Sequence, residues 1–269
     1  TGHFSDLFVG MYQNTVRVAL KRLRIERYPS ENKRREIEGA AAIWMLLDHP
    51  HILHFIGIYR ADGYTYLASP FMENGNLAHY LETNPHTGRS SFLLETADAV
   101  AYLHSQGIVH GNIKARNILV SASRHALLCD IGLTKWVSSV TASASEGLGT
   151  ARWQSPELLR GGSRCSASDT YAFGITIAEV LTGKIPFAQL SGWTEAAIIN
   201  AVLSGKRPVL EASCSLTGES YEHMWDIAIR CWVKDPNSRP PMAEVLALLR
   251  QSGELESPAR CSIRILTGY

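Results

Sequence analysis

The hydrophobic pattern of this chain is mostly strand-like up to about residue 75 and mostly helical beyond Leu77, and that division limits the choice of fold. Upstream, short β-branched and aromatic runs alternate with turn residues. Leu7-Phe8-Val9, a polar turn around Gln13-Asn14, and Val16-Arg17-Val18-Ala19-Leu20 predict a hairpin. Ile52 to Tyr59 and Tyr64 to Ser69 predict two further strands. One Ala- and Leu-rich helix is expected between them, from about Glu31 to Leu47, entered after Pro29-Ser30 and ended before Asp48-His49-Pro50. Downstream the spacing becomes helical. Leu93, Ala97, Val100, Ala101 and Leu103 fall on or near one face of a segment from Phe92 to Ser105, and helical patterns return over 168–182, 194–204, 221–233 and 242–252. Ile118-Leu119-Val120 and Ala126-Leu127-Leu128-Cys129 predict short strands, and the Ser-rich stretch 138–149 predicts a mobile loop. The expectation is an α+β chain with a small strand-rich lobe over 1–72, a larger helical lobe over 76–252, and a tail over 253–269.

Composition narrows the function. Of 269 residues, 45% are hydrophobic and 19% charged, which suits a sizeable core and excludes wholesale disorder. A net charge of +1 leaves no electrostatic footprint for nucleic acid or an acidic membrane. The five cysteines are scattered without a C-x-x-C pair, which argues against zinc and against a secreted disulfide framework, and points to the cytoplasm. No apolar run reaches the roughly 18 residues of a membrane span. The first residues lack the charge and apolar pattern of a signal peptide, and the chain opens on Thr1, as an excised domain would.

The chemistry is concentrated in His110-Gly111-Asn112-Ile113-Lys114-Ala115-Arg116-Asn117 and in Asp130-Ile131-Gly132. Asp130 follows an apolar strand and precedes a glycine, a placement suited to holding Mg²⁺ with a hard oxygen. Taken singly, each residue has an ordinary reading, Asp130 as a turn residue and Lys21 as a surface lysine. Joined in order with Val18-Ala19-Leu20-Lys21 upstream and Ser155-Pro156-Glu157 downstream, they resemble the protein kinase signature set. Asp169-Thr170-Tyr171-Ala172-Phe173-Gly174 and the stretch from Cys231-Trp232 to Arg239-Pro240 resemble late helices of the same family, so the resemblance covers nearly the whole chain.

That resemblance implies a bilobal fold, with a β-rich N-lobe and a helical C-lobe, and MgATP between them. It implies Lys21 at the α- and β-phosphates, Asn117 and Asp130 on the metal, and Lys114 on the transferring phosphate. Ala19 would leave room for adenine, and Gly2 belongs to the glycine-rich lid. Ser69 resembles the gatekeeper. Pro70-Phe71-Met72 open a hinge over 70–75, where the Met72 N–H would bond the base between Leu7 and Leu119. Lys114 resembles serine/threonine kinases and Arg116 tyrosine kinases, a mixture similar to the tyrosine-kinase-like group. Glu157 with Arg239 resembles a structural ion pair of the family, and Asp169 the residue that holds the catalytic-loop backbone.

Four positions depart from the pattern. Asn112 stands where the family places the Asp that accepts the substrate hydroxyl proton. Ser5 replaces the third glycine of the lid, whose first glycine would precede Thr1. On the helix that should present a Glu to Lys21, the position falls on Ala40; Glu36 lies one turn earlier, and an altered alignment would give the role to Glu36 or Glu38. Gly111 replaces an Arg that receives a phosphorylated activation loop, so strict dependence on loop phosphorylation is not expected. The leading expectation is an ATP-binding domain with impaired phosphotransfer, a pseudokinase with a signalling or scaffold role. The alternatives are a working serine/threonine kinase, with Asn112 only positioning the hydroxyl, and a nucleotide-free scaffold. The sequence names neither a protein substrate nor a protein partner.

Overall fold

The computed structural model describes residues 5–23, 25, 27–131, 150–190, 194–209 and 221–256. Gly2, Gly132 and the expected loop over 138–149 lie outside these residues.

Strands β1 (Ser5–Tyr12) and β2 (Val16–Leu23) form the expected hairpin, paired from Ser5↔Leu23 to Tyr12↔Val16. Gln13 and Asn14 both take left-handed backbone, with φ of 49° and 58°, the geometry that matches a turn to the twist of its strands. Helix α1 (Glu31–Met45) starts on Ser30, whose side chain accepts from the Lys33 N–H. β3 (Gly57–Ala61) and β4 (Tyr64–Pro70) complete an antiparallel sheet of order β1-β2-β4-β3.

The strand expected from Ile52 begins only at Gly57. Ile52, Leu53 and Phe55 are all buried, without the alternation of a one-faced strand. They cross to the other lobe instead, where Ile52 bridges Leu128 and the Leu53 N–H donates to the Leu128 carbonyl at 2.9 Å.

The second lobe is helical. The short α2 (Leu77–Thr83), unmarked in the sequence pattern, is capped by Asn76. α3 (Ser90–Ser105) follows, then a two-stranded hairpin of β5 (Ile118–Val120) and β6 (Ala126–Leu128). After α4 (Pro156–Leu159) comes α5 (Ser166–Thr182), buried from Ser168 to Leu181. A helix buried all round is the centre of its lobe. Its C-terminal carbonyls are capped from outside by the buried Arg89, whose Nη1 donates to Val180 at 2.9 Å and Leu181 at 2.7 Å. α6 (Glu195–Leu203), α7 (Glu222–Cys231) and α8 (Met242–Glu256) close the lobe, and α8 runs past residue 252 into the stretch expected to be tail. Among the described residues no helix is long and apolar enough to cross a membrane.

Candidate active site

The sheet register fixes the roof of the cleft. Leu7 pairs with Lys21, Lys21 with Leu67, and Ala19 with Ser69. Cross-strand partners share a face, and so do residues two apart, so Leu7, Ala19, Lys21 and Ser69 lie on one side of the sheet. Lys21 shows where that side points: its Nζ lies 2.5 Å from Asp130 Oδ2, at the start of the other lobe's loop. Leu7 is 61% exposed on this face, whereas Ser69 is buried.

At the back of the cleft the hinge is tied to the hairpin below it. The Val120 N–H donates to Gly75, Asn74 Nδ2 donates to Ser121, and Asn76 bridges Leu119. Leu119 is thereby placed beside the hinge. Gly75, with φ of 67°, takes a turn that other residues resist. Pro70 ends β4, and an ion pair between Arg17 and Glu73 joins the hinge to β2. Among the described residues the Met72 N–H has no hydrogen-bond partner, while its carbonyl accepts from Gly75.

The floor is built on α5. Asp169, 1% exposed, accepts from the N–H groups of His110 and Gly111, both at 2.7 Å, and from His104 Nε2 at 3.0 Å. The His110 ring then fixes the next residues. Its Nδ1 accepts from the Asn112 N–H and its Nε2 donates to the Cys129 carbonyl, so the proton sits on Nε2. Burial lowers the His110 pKa and Asp169 opposes it, which keeps this neutral form. Asn117 Nδ2 donates to the Asn112 carbonyl at 2.7 Å, leaving Oδ1 as the atom able to meet a cation. The Asn117 carbonyl accepts from the Cys129 N–H, which sets Asn117 one residue from Asp130.

Asp130 itself has φ of 66°, left-handed backbone in a residue with a side chain, a strain of order 1–3 kcal/mol that surrounding structure must hold. Burial works against both charges of the Lys21–Asp130 pair, but their mutual attraction outweighs it. Lys21 is raised and Asp130 lowered from their ordinary values. Asn112 Oδ1 is shielded from solvent and has no hydrogen-bond partner among the described residues. A buried acceptor left without a donor costs about 1–3 kcal/mol.

Gly111 adopts φ of 76°. A Cβ in left-handed backbone costs roughly 1–2 kcal/mol. Gly111→Ala is expected to lower stability by about 1 kcal/mol, read as a shift of the urea midpoint at constant slope.

Lys114 extends over the Trp153 ring, its Nζ 5.8 Å from the centroid. Burial lowers its pKa, and Asp130 and Glu179 pull the other way. Glu179 is a carboxyl inside α5. Its Oε2 accepts from the Ala115 N–H and from Trp153 Nε1, both at 2.9 Å. Burial nonetheless pushes its pKa up to about 7, against those hydrogen bonds and Lys114. The folded value exceeds the ordinary 4.5, so between those two pH values the unfolded chain ionises first and stability falls as pH rises. The expected loss is about 3 kcal/mol across that window. Glu179→Gln, which keeps an acceptor for both donors, is expected to remove this slope from a stability-against-pH curve, measured as the difference between variant and parent.

With Ala40 at the expected position of α1, no carboxylate of that helix pairs with Lys21 among the described residues, and neither Glu36 nor Glu38 takes the role that an altered alignment would give it. Glu36 pairs with Lys33 on the helix surface, Glu38 with Arg60 of β3, and Lys21 is held by Asp130. Glu157 and Arg239 do pair, at 2.6 and 2.9 Å. Sequence reasoning missed Glu179, Trp153 and His104. One signal was present for Glu179, a lone charge inside the apolar run from Ala172 to Leu181, because a buried charge requires partners.

Among the described residues no group of three His, Cys, Asp or Glu side chains could hold a metal. Asp130 with Asn117 fits Mg²⁺ only in the way that ion is commonly held, by one or two protein oxygens plus phosphate and water.

Comparison with known proteins agrees with this arrangement. The chain is 28% identical over 263 residues to the serine/threonine/tyrosine-protein kinase HT1 of Arabidopsis thaliana, covering 94% of this chain and 65% of that protein. It is 28% identical over 267 residues to the probable serine/threonine-protein kinase kinX of Dictyostelium discoideum, and spans 23% of it. It is 29% identical over 262 residues to ephrin type-A receptor 5 of Gallus gallus, of which it spans 25%. The chain thus matches only a part of each of these relatives. The family described as protein tyrosine and serine/threonine kinase matches residues 1–249. A strand-rich lobe and a helical lobe meeting at Lys21 and Asp130, with a match of that extent, place the chain in the protein tyrosine and serine/threonine kinase family.

Proposed function

We propose that this domain binds MgATP between its lobes and transfers phosphate poorly, acting as a pseudokinase whose output is a binding surface. The observation that carries the reading is Asn112: a carboxamide, its Oδ1 buried without a donor, stands at the family's base position beside residues suited to nucleotide. When bound, MgATP would supply an electrophilic phosphorus with its charge partly neutralised by the metal. Asp130 and Asn117 Oδ1 would hold the metal, and Lys21, released from Asp130, would hold the phosphates. Ala19, Ser69, Pro70, Met72, Leu7 and Leu119 would enclose the base, with the free Met72 N–H as donor. Lys114 would neutralise the phosphate in transfer. The Asn112 oxygen would orient a substrate hydroxyl without removing its proton. Lys114 with Arg116 supports a tyrosine-kinase-like relationship, and the unpaired buried thiols of Cys129 and Cys231 support a reducing, cytoplasmic setting. One observation favours a nucleotide-free scaffold as the second reading: Glu36 and Glu38 are engaged away from Lys21.

Thermal melting separates these readings, because a ligand of the folded state must raise Tm. Saturating ATP with Mg²⁺ is expected to raise Tm by roughly 5 °C or more in the parent chain. The Mg²⁺-dependent part of that rise should vanish in Asp130→Ala. A flat melting temperature in both would establish the scaffold instead, and brisk labelling of protein by the parent would establish a working kinase.

A further inference from the structure

The connection between α1 and β3 crosses to the helical lobe at residues 48–53 and is fastened there by imidazoles. His49 is the first. Its ring stacks on Tyr102 of α3, 4.8 Å between centroids, and its Nδ1 accepts from the His51 N–H at 3.2 Å. The neutral ring therefore carries its proton on Nε2, which lies 3.7 Å from Asp98 Oδ2. His51 continues the crossing. Its Nδ1 donates to the Ala126 carbonyl, and its own carbonyl accepts from the Leu128 N–H at 2.8 Å. Trp44 Nε1 of α1 donates to Leu53 at 2.8 Å, so the helix hangs on the same segment.

We propose that His49 is an acid-sensitive latch, whose protonation frees residues 48–53 and loosens α1 from the helical lobe. A second proton on the ring turns Nδ1 from acceptor into donor, facing the His51 N–H that it now binds. Asp98 and Asp48 favour the charged ring but do not outweigh its burial. Asp98 is shared with Arg250 of α8, and Asp48 adjoins on the same segment. Glu95 is occupied by the Ala126 N–H and by His125 Nδ1, both at 2.7 Å. The His49 and His51 ring centroids lie 5.8 Å apart, and those of His51 and His125 lie 6.1 Å apart. Burial lowers the His49 pKa, with Asp98 opposing, so the neutral latch holds near pH 7 and opens at a pH below the ordinary histidine value. The inference is independent of nucleotide binding.

The test is an NMR titration of the 269-residue chain from about pH 7.5 to about pH 4.5, across the range in which histidine ordinarily changes charge and below it. The His49 ring and the His51 amide are expected to shift at one common pH. Over that step the amide protection factors of His51, Ile52 and Leu53 should fall about tenfold, as for loss of roughly one hydrogen bond. Protection of Phe173 and Ile175 in α5 should hold. His49→Asn offers a carboxamide oxygen near the Nδ1 position and does not titrate, so its protection should be the same at both ends. Unchanged protection in the parent, a His51 amide shifting apart from the His49 ring, or the same fall in His49→Asn overturns the proposal. Should His49→Asn fail to fold, the titration of the parent decides by itself.

Discussion

Exchanging Asn112 for Asp is expected to raise the rate of phosphate transfer to protein by about 10²–10⁴-fold, the usual worth of a positioned base. An amide oxygen accepts a hydrogen bond but is too weak a base to take the hydroxyl proton, whereas a carboxylate accepts the hydrogen bond and can take the proton in the transition state. The backbone around position 112 is already held by His110, Asn117 and Asp169, so the new side chain needs no rearrangement of the loop. The orphaned Oδ1 shows that an oxygen at this position has no internal donor to lose. Incorporation of labelled γ-phosphate checks it, with Asp130→Ala as the blank for contaminating enzymes. Equal rates for Asn112→Asp and its parent, both above that blank, would overturn the proposal that the missing proton acceptor limits transfer.

The largest loss of stability is expected at Arg239. Its side chain is 0% exposed and meets Glu157 with two nitrogens. Further bonds run to the carbonyls of Val233, Ala167 and Lys234, and the guanidinium lies 5.1 Å from the Tyr171 ring centroid. This one cation joins α4, the start of α5 and the turn before α8. Removing one partner of a buried pair costs about 3–5 kcal/mol, because the remaining charge stays desolvated. Arg239→Met, which keeps much of the side-chain volume, should therefore lower Tm by roughly 10 °C. The pair also sets an acid limit. Burial acts against the Glu157 charge, but Arg239 and Ser155 hold its pKa below the ordinary value, so its contribution is present near neutral pH and disappears as pH falls through that lowered value. A loss under about 1 kcal/mol would mean that the pair behaves as an exposed one.

Local signals predicted most elements to within a few residues. The β1–β2 hairpin and α1, α3 and α5 stand where alternation, helical spacing and capping residues put them. Two places show how such signals mislead. Ile52 to Phe55 looks like a strand because it is apolar and extended, yet its burial comes from crossing between lobes, which no local window contains. α2 is seven residues long, too short to show a period above its turn-rich surroundings. The site divides the same way. Asp169 holding the His110–Gly111 backbone, and Glu157 with Arg239, were legible because motif order places them. Glu179 and Trp153 were not, because each matters only through the other and through Ala115.

From its sequence alone this chain determined its two lobes, the order of its chemical groups, and the carboxamide at position 112. These are matters of periodicity and covalent identity, and no packing changes them. Tertiary structure decided which carboxylate meets Lys21. Glu36 and Glu38 were in question, and the folded chain chose neither: both are drawn to Lys33 and Arg60, while the approach of β2 brings Lys21 to Asp130. Tertiary structure also decided that Glu179 titrates near 7, because desolvation depends on everything packed around α5. Charge pairing falls with distance, and distances between residues a hundred positions apart exist only in the folded chain.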